Sequence, residues 1–163
     1  MNASIIQHIL GNNPYTSRYF QGFCTYDIPL PKNFQKPAIF LLNTDKWFGP
    51  GEHWCVANFV SDEICEFFDS FGNPPCYYNF DKNMYKHVKH IVHNSFRVQG
   101  SQPTCGHHCL FFVLFRYYGY DASFILNTLL THTNLDDLER NDRIVFNYIK
   151  KYFGDIYARF VDL

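Results

Sequence analysis

The amino-acid sequence predicts an α+β domain, in which one helix is followed by several strands and then by further helices. Short apolar and aromatic runs between turn residues fill the first half of the chain, whereas longer helical patterns fill the second half. Aromatic residues make up 20% of the 163 residues and charged residues only 18%, as in a folded domain with a substantial core. Because no repeat, low-complexity tract or charged linker interrupts the chain, we expect a single domain over residues 1–163.

The first half of the chain supplies most of the predicted sheet. Residues 3–10 have helical spacing, and Gly11 is a natural residue to end that helix. Four short runs rich in apolar and aromatic residues, each bounded by turn signals, then predict strands. These runs are residues 23–27, 38–43, 53–60 and 64–68. The polar residues 61–63 between the last two runs predict a hairpin turn.

The middle of the chain is predicted to leave the sheet and return to it. Asn79 or Asp81 can cap a helix that runs to about Val92, and residues 95–98 form a further short strand pattern. Residues 100–104 are a loop, because their Gly, Ser and Pro content does not suit regular structure.

Three helices are predicted after that loop. Residues 105–118 are almost continuously apolar, over a length that suits a buried helix. Further helices are expected over residues 123–130 and 137–153, and Gly154 ends the last of them. Its apolar residues on one face are Leu138, Val145, Tyr148, Ile149 and Tyr152.

Charge and hydropathy exclude several classes of protein. Lys plus Arg is 14 and Asp plus Glu is 15, so the net charge of −1 does not suit a chain held to DNA by phosphate contacts. The longest strongly apolar run, residues 110–115, is too short to cross a membrane. The first four residues carry no secretion signal, so we expect an intracellular protein whose six cysteines are mostly reduced.

Four residues between positions 53 and 105 have side chains suited to covalent catalysis. His53 opens one strand of the predicted hairpin and Asp69 closes the other, so a carboxylate can orient an imidazole at one end of the sheet. Cys105 starts the most apolar helix, where the helix dipole and a nearby imidazole favour a thiolate. Gln99 can join the backbone N–H of Cys105 in an oxyanion hole. Nucleophile, base, orienting acid and oxyanion donor are therefore all represented.

The order of these residues resembles the adenains, the maturation proteases of adenoviruses. The motifs that carry the resemblance are His53-Trp54, residues 68–72, residues 98–100 and Cys105-Gly106, preceded by residues 42–45. The resemblance covers roughly residues 20–118, and the adenains belong to a clan of cysteine peptidases that includes the ubiquitin-like-protein proteases. It implies a papain-like site in a permuted chain order, with a mixed central sheet packed against the helix that bears the cysteine.

The resemblance also assigns roles to the matching residues. It makes Cys105 the nucleophile, His53 the general base, Asp69 the orienting acid and Gln99 the oxyanion-hole side chain. Trp54 matches an aromatic residue that helps to line a narrow substrate channel for glycine residues. The resemblance implies a thiol protease that needs no cofactor for its chemistry and cleaves viral precursor or capsid proteins at glycine-containing sites during virion maturation. In that case the expected locations are the host nucleus and the virion.

Two departures from the adenains bear on substrate and activation. An aspartate at position 69 and the spacing from Gln99 to Cys105 both fit the branch that removes ubiquitin-like modifiers, so deconjugation is an alternative function. Residues 86–97 contain no cysteine and the chain is not basic, so activation through a disulfide or DNA is not expected. A peptide activator that adds a strand to the sheet is still compatible with the sequence.

Two other classes of function compete with a protease. Cys105, His107, His108 and Cys109 are possible zinc ligands, as are His87, His90 and His93, but on helices neither set converges on one point, so no metal site is expected. A binding module that keeps a protease fold without activity is the second alternative. The presence of His53, Asp69, Gln99 and Cys105 together argues against it.

Overall fold

A computed structural model describes residues 1–161 of the chain, with side chains as far as residue 156. It contains a five-stranded mixed sheet with helices packed against it, which confirms the predicted α+β class. The strands are β1 (Phe20–Thr25), β2 (Ala38–Asn43), β3 (Trp54–Phe59), β4 (Ile64–Asp69) and β5 (His90–His93). The helices are α1 (Ala3–Asn12), α2 (Asp81–Met84), α3 (Cys105–Tyr117), α4 (Ala122–Phe124) and α5 (Leu135–Val161). A 3₁₀ turn spans Pro75–Tyr78, and a π-helical turn spans Ile125–Leu129 directly after α4.

The strands lie in the spatial order β1-β2-β3-β4-β5. β2, β3 and β4 are antiparallel neighbours, whereas the outer strands β1 and β5 run parallel to β2 and β4. The predicted hairpin between β3 and β4 is present, and its register pairs Cys55 with Asp69. This pairing brings the end of β4 beside the residue that precedes β3, which is His53.

Helix α3 begins at Cys105, as predicted, and lies against the sheet. Residues 106–114 are all buried, because α3 packs against β3 and β4 on one side and against α1 and α5 on the others. The rings of Phe68 on β4 and Phe112 on α3 stack with their centroids 4.5 Å apart. The burial of residues 106–114 fixes the first residue of the helix, Cys105, against the end of β3.

Helix α5 packs against α3. Its buried polar residues Asn141 and Asp142 form hydrogen bonds with residues 98–104, the segment that leads into α3. Val145 and Ile149 are fully buried and support the predicted apolar face, but Tyr152 on that face is 58% exposed. The helical geometry is interrupted at Phe153, where φ is −133° and ψ is 16°. The predicted end at Gly154 thus coincides with a break in the helix, and a second helical stretch follows the break.

The structure corrects the prediction for residues 79–98. The helical segment ends at Met84, and residues 90–93 form the edge strand β5, whereas residues 95–98 are not a strand. The local cause is a run with two β-branched residues, Ile91 and Val92, which suits an extended chain. The deciding cause is parallel pairing with β4, from Ile64 opposite His90 to Phe67 opposite His93.

Two smaller differences concern a strand and a helix. β1 begins at Phe20 and ends at Thr25, so the prediction of residues 23–27 was displaced toward the C-terminus. The helix expected over residues 123–130 is only one short α-helical turn followed by the π-helical turn. No helix in the described part of the chain is long and apolar enough to cross a membrane.

Candidate active site

Three separate elements bring His53, Asp69 and Cys105 together. His53 directly precedes β3, Asp69 is the last residue of β4, and Cys105 is the first residue of α3. The β3–β4 register places the histidine and the aspartate at the same end of the hairpin. Cys105 reaches this end because α3 lies along β3, with the Cys109 thiol donating to the Trp54 carbonyl at 3.2 Å.

Asp69 holds His53 through a short hydrogen bond. The distance from His53 Nε2 to Asp69 Oδ1 is 2.5 Å, and both side chains are buried. The other donors to the Asp69 carboxylate are the backbone N–H groups of Phe71 (3.0 Å) and Asn73 (2.9 Å) and the hydroxyl of Tyr78 (3.0 Å). Burial raises the pKa of Asp69, but the hydrogen bonds to His53 and to these backbone groups outweigh it and lower the pKa. The carboxylate is therefore an ionised acceptor with a fixed orientation.

The second nitrogen of His53 faces the thiol of Cys105. Because Nε2 bonds Asp69, Nδ1 is the nitrogen left for the side-chain hydrogen bond between His53 and Cys105. Burial lowers the pKa of His53, but the hydrogen bonds to Asp69 and Cys105 raise it to about 9. Burial raises the pKa of the Cys105 thiol, and hydrogen bonds from His53 and the Trp54 backbone lower it below its usual value. This arrangement favours the ion pair of a Cys105 thiolate with a His53 imidazolium.

Gln99 is buried and is held at both ends of its amide. The hydroxyl of Ser70 donates to Gln99 Oε1 at 2.6 Å, and Gln99 Nε2 donates to the carbonyl of Gln102 at 2.7 Å. The second Nε2 hydrogen has no acceptor among the residues that the structure describes. Gln99 therefore keeps a free N–H donor, which is what an oxyanion-hole side chain requires.

The loop between Gln99 and Cys105 is fixed by helix α5. The Asp142 carboxylate accepts hydrogen bonds from the backbone of Gly100 (3.0 Å) and Gln102 (3.1 Å) and from the hydroxyl of Thr104 (2.8 Å). It also accepts a hydrogen bond from His108 Nε2 at 2.9 Å. The geometry just before the nucleophile thus depends on a helix almost forty residues away in sequence.

Trp54 borders a cleft next to Cys105. The cleft has a volume of about 620 Å³, and its lining includes Cys105, Trp54, Phe23 and residues of the loop between β2 and β3. The indole N–H of Trp54 donates to the carbonyl of Met1 at 3.1 Å, and the ring packs against Phe23 with centroids 5.5 Å apart. Trp54 is thus held rigidly at the edge of the cleft, and its predicted contact with substrate stays a prediction.

Sequence reasoning missed several residues that support His53. The ring of Phe71 stacks on the imidazole with centroids 4.5 Å apart, and the Arg97 guanidinium lies over the Phe71 ring at 5.0 Å from its centroid. Gly72 has φ of +80°, and an added Cβ would lie only 2.5 Å from the backbone of Phe96. Phe71 and Gly72 could have been found from their position directly after Asp69. Tyr78 gave no local signal, because its hydrogen bond to Asp69 depends on how the 3₁₀ turn packs against the end of β4.

The potential metal ligands that lie close together in the structure are not the sets considered as zinc ligands from the sequence. His90 and His93 lie on β5 at an odd separation, which points them to opposite faces of the sheet. Within the described residues, the side chains of His53, Cys55 and Asp69 have ligand atoms within 4.8 Å of one another. Both Asp69 oxygens already accept two hydrogen bonds, and burial raises the pKa of Cys55 well above its usual value. The Asp69 oxygens are therefore already occupied by hydrogen bonds, and the Cys55 thiol is held in its neutral form.

Comparison with known proteins supports the fold. No protein-family model matches the chain, and no curated protein matches its sequence. The crystal structure of the ASFV pS273R protease is similar over 87% of this chain, with a TM-score of 0.50 and 19% sequence identity. The chain spans 66% of the length of that protease. At this identity the likeness shows the fold, so the mixed sheet packed against α3 is an architecture shared with a known protease.

Proposed function

We propose that the chain is a cysteine peptidase with Cys105 as nucleophile, His53 as general base and Asp69 as the residue that orients the base. The observation that carries this proposal is the grouping of three side chains at one end of the β3–β4 hairpin: the buried Asp69 carboxylate binds His53 at 2.5 Å, and the interaction of His53 with Cys105 lowers the pKa of the thiol. A histidine–aspartate pair that only stabilised the fold would not need a thiol beside the second imidazole nitrogen. The shared fold with a protease supports the same reaction class.

The reaction is acyl transfer to sulfur followed by hydrolysis. The Cys105 thiolate attacks the peptide carbonyl carbon, and the resulting oxyanion is stabilised by the Gln99 amide and the Cys105 backbone N–H. That N–H is free of an intrahelical partner because it belongs to the first residue of α3. The His53 imidazolium gives its proton to the leaving amine as the C–N bond breaks. His53 then takes a proton from water, which attacks the thioester and releases the acid and the thiol.

The proposed substrates are viral precursor proteins with glycine beside the scissile bond. Trp54 borders the cleft next to the nucleophile, and glycine has no Cβ to collide with a bulky ring there. Removal of ubiquitin-like modifiers is the second candidate, favoured by an aspartate rather than a glutamate at position 69. Both substrate classes are polypeptides, and we propose no cofactor for the chemistry. A peptide activator and a site of action in the host nucleus and virion belong to the proposal as well.

The test compares the wild-type chain with the Cys105→Ala variant on matched peptides that carry glycine or valine beside the scissile bond. We expect the wild type to cleave the glycine peptide alone, the Cys105→Ala variant to be inactive but folded, and Trp54→Ala to accept part of the valine peptide. Turnover by Cys105→Ala at the wild-type rate would exclude Cys105 as the nucleophile. Equal cleavage of both peptides by the wild type would exclude the narrow cleft.

Two additional assays test the substrate class and the response to DNA. A panel of ubiquitin-like-modifier conjugates, assayed beside the peptides, distinguishes deconjugation from precursor processing by the ratio of the kcat/KM values. DNA is added at physiological salt, where a chain of net charge −1 is expected to show no stimulation. Strong stimulation would contradict the argument from charge.

A further inference from the structure

Ser70 is a fully buried residue whose only side-chain hydrogen bond in the described structure is made to the proposed oxyanion donor. It follows Asp69 at the end of β4 and is 0% exposed. Its hydroxyl donates to Gln99 Oε1 at 2.6 Å, and its carbonyl accepts a hydrogen bond from the Gln99 backbone N–H at 3.1 Å. One residue therefore fixes both the backbone and the side chain of Gln99.

The orientation of the Gln99 amide matters because its two ends have opposite polarity. Rotation of the terminal amide by half a turn would exchange the N–H donor for a carbonyl oxygen, which would repel an oxyanion. The carbonyl of Gln102 can only accept, so it bonds the nitrogen end. The Ser70 hydroxyl engages the oxygen end and also draws electron density from it, which strengthens the free N–H as a donor.

We infer that Ser70 is a positioning residue for the reaction, which fixes and polarises the Gln99 amide that receives the oxyanion. The inference rests on the proposed function, since it assigns a role within the same site. Ser70 does not touch the substrate, and it acts only through Gln99. It therefore differs from Asp69, its neighbour in the sequence, which acts through His53.

The test is a double-mutant cycle on kcat with the full-length chain. We expect Ser70→Ala to lower kcat about 10-fold with KM nearly unchanged, the effect of one lost hydrogen bond. We expect Gln99→Ala to lower kcat by roughly 10²-fold or more, which is the usual effect of a missing oxyanion donor. Added to Gln99→Ala, the Ser70→Ala change should cost nothing further, because its only route of action is already absent.

A second measurement, the rate at which iodoacetamide alkylates Cys105, separates this role from a merely structural one. If Ser70→Ala only disturbed the site, this rate would fall together with kcat. Displacement at an sp³ carbon forms no oxyanion, so the rate of Cys105 alkylation in Ser70→Ala should equal that of the wild type. Thr16→Val is the matched control, because the Thr16 hydroxyl is equally buried and donates to the Leu10 carbonyl at 2.7 Å, outside the site. It should leave kcat unchanged.

Three outcomes would overturn the inference. These are an unchanged kcat in Ser70→Ala, losses that multiply fully in the double variant, and an alkylation rate that falls in parallel with kcat. If Ser70→Ala does not fold, Ser70→Cys fills the same space with a weaker donor and is judged by the same three criteria. Absence of both hydrolysis and selective Cys105 alkylation in the wild type would instead refute the proposed function.

Discussion

Two His–Asp pairs lie in the described part of this protein, and their geometry is alike. His53 Nε2 is 2.5 Å from Asp69 Oδ1, and His108 Nε2 is 2.9 Å from Asp142 Oδ1. Both carboxylates are buried, and both have a lowered pKa because hydrogen bonds from the histidine and the backbone outweigh the effect of burial. The distance between imidazole and carboxylate therefore does not distinguish a catalytic pair from a structural pair.

The difference lies at the second nitrogen of each imidazole. His53 faces the Cys105 thiol across its other nitrogen, and its pKa is raised to about 9. His108 is completely buried, its Nδ1 has no hydrogen-bond partner among the described residues, and burial lowers its pKa despite Asp142. One histidine can thus carry a proton to a reacting group, whereas the other stays neutral. The two pairs therefore differ in the group that lies beside the second imidazole nitrogen.

The two carboxylates also act on different targets. Asp69 orients the imidazole of His53, the proposed base, whereas Asp142 holds the backbone at Gly100 and Gln102 and the Thr104 hydroxyl ahead of Cys105. The first pair would thus serve proton transfer and the second would hold the loop in place. The predictions below separate these two roles.

The largest expected effect is that of His53→Ala. Removal of the proposed base should lower kcat by roughly 10³–10⁴-fold, because proton transfer to the leaving amine loses its donor. The melting temperature should fall as well, because the change leaves the buried Asp69 carboxylate without its closest hydrogen-bond partner. Steady-state kinetics on a glycine-containing peptide and a thermal melt measure the two quantities, and a variant with kcat within tenfold of the wild type would remove His53 from the reaction.

Asp69→Ala should lower kcat less than His53→Ala does. The carboxylate orients the imidazole and stabilises the imidazolium, but it transfers no proton itself. The same assay, run with both variants on one substrate, gives the ratio directly. The opposite ranking would mean that Asp69 does more than hold His53.

Asp142→Asn is expected to affect stability first and activity second. The change removes the charge and one of the two acceptor oxygens that bond four donors, and the loss of a hydrogen bond to a buried charged group costs about 1.5–3 kcal/mol of unfolding free energy. Urea denaturation measures that loss. Cys105 alkylation should stay near the wild-type rate, since the His53–Cys105 pair is untouched; a large fall in alkylation with unchanged stability would reverse the assignment.

The two histidines should give stability opposite dependences on pH. The folded pKa of His108 lies below its usual value of 6.5, so its contribution is present above that value and lost as the pH falls below it. The folded pKa of His53 is raised to about 9, so its contribution is complete below about 6.5 and lost as the pH rises through about 9. Urea titrations between about pH 5 and pH 10 should show a smaller alkaline decline in His53→Ala and a smaller acid decline in His108→Gln. The remaining declines come from the buried cysteine thiols, whose pKa values are raised, and from His107, whose pKa is lowered to about 4. Loss of the same limb in both variants would contradict this contrast.

The smallest effect is expected for Cys109→Ala, one helical turn beyond the nucleophile. Its buried thiol donates to the Trp54 carbonyl, and burial keeps its pKa well above the usual value. The loss of unfolding free energy should be roughly 1 kcal/mol, with activity retained. Inactivation equal to that of Cys105→Ala, at unchanged stability, would leave the identity of the nucleophile open between the two cysteines.

Much of the fold followed from local patterns in the sequence. The runs that became β2, β3 and β4 and the apolar stretch that became α3 are each bounded by turn residues, so their type and approximate limits are set by neighbouring residues. The placement of His53, Asp69 and Cys105 at element ends could be predicted in the same way, because a hairpin brings its two ends together. Residues 79–98 could not, since their local pattern suits a helix or a strand equally and only pairing with β4 selects the strand.

What the tertiary structure alone decided is the environment of these groups. Ser70 meets Gln99 across 29 residues of sequence, and Asp142 meets Gly100 across 42. Such contacts leave no periodic or local signal, because they depend on how separate elements pack. The difference between His53 and His108 has the same origin: nothing in the sequence sets apart the pKa values of these two of its eight histidines, and the packing around each imidazole determines that only His53 has a raised pKa and lies beside Cys105.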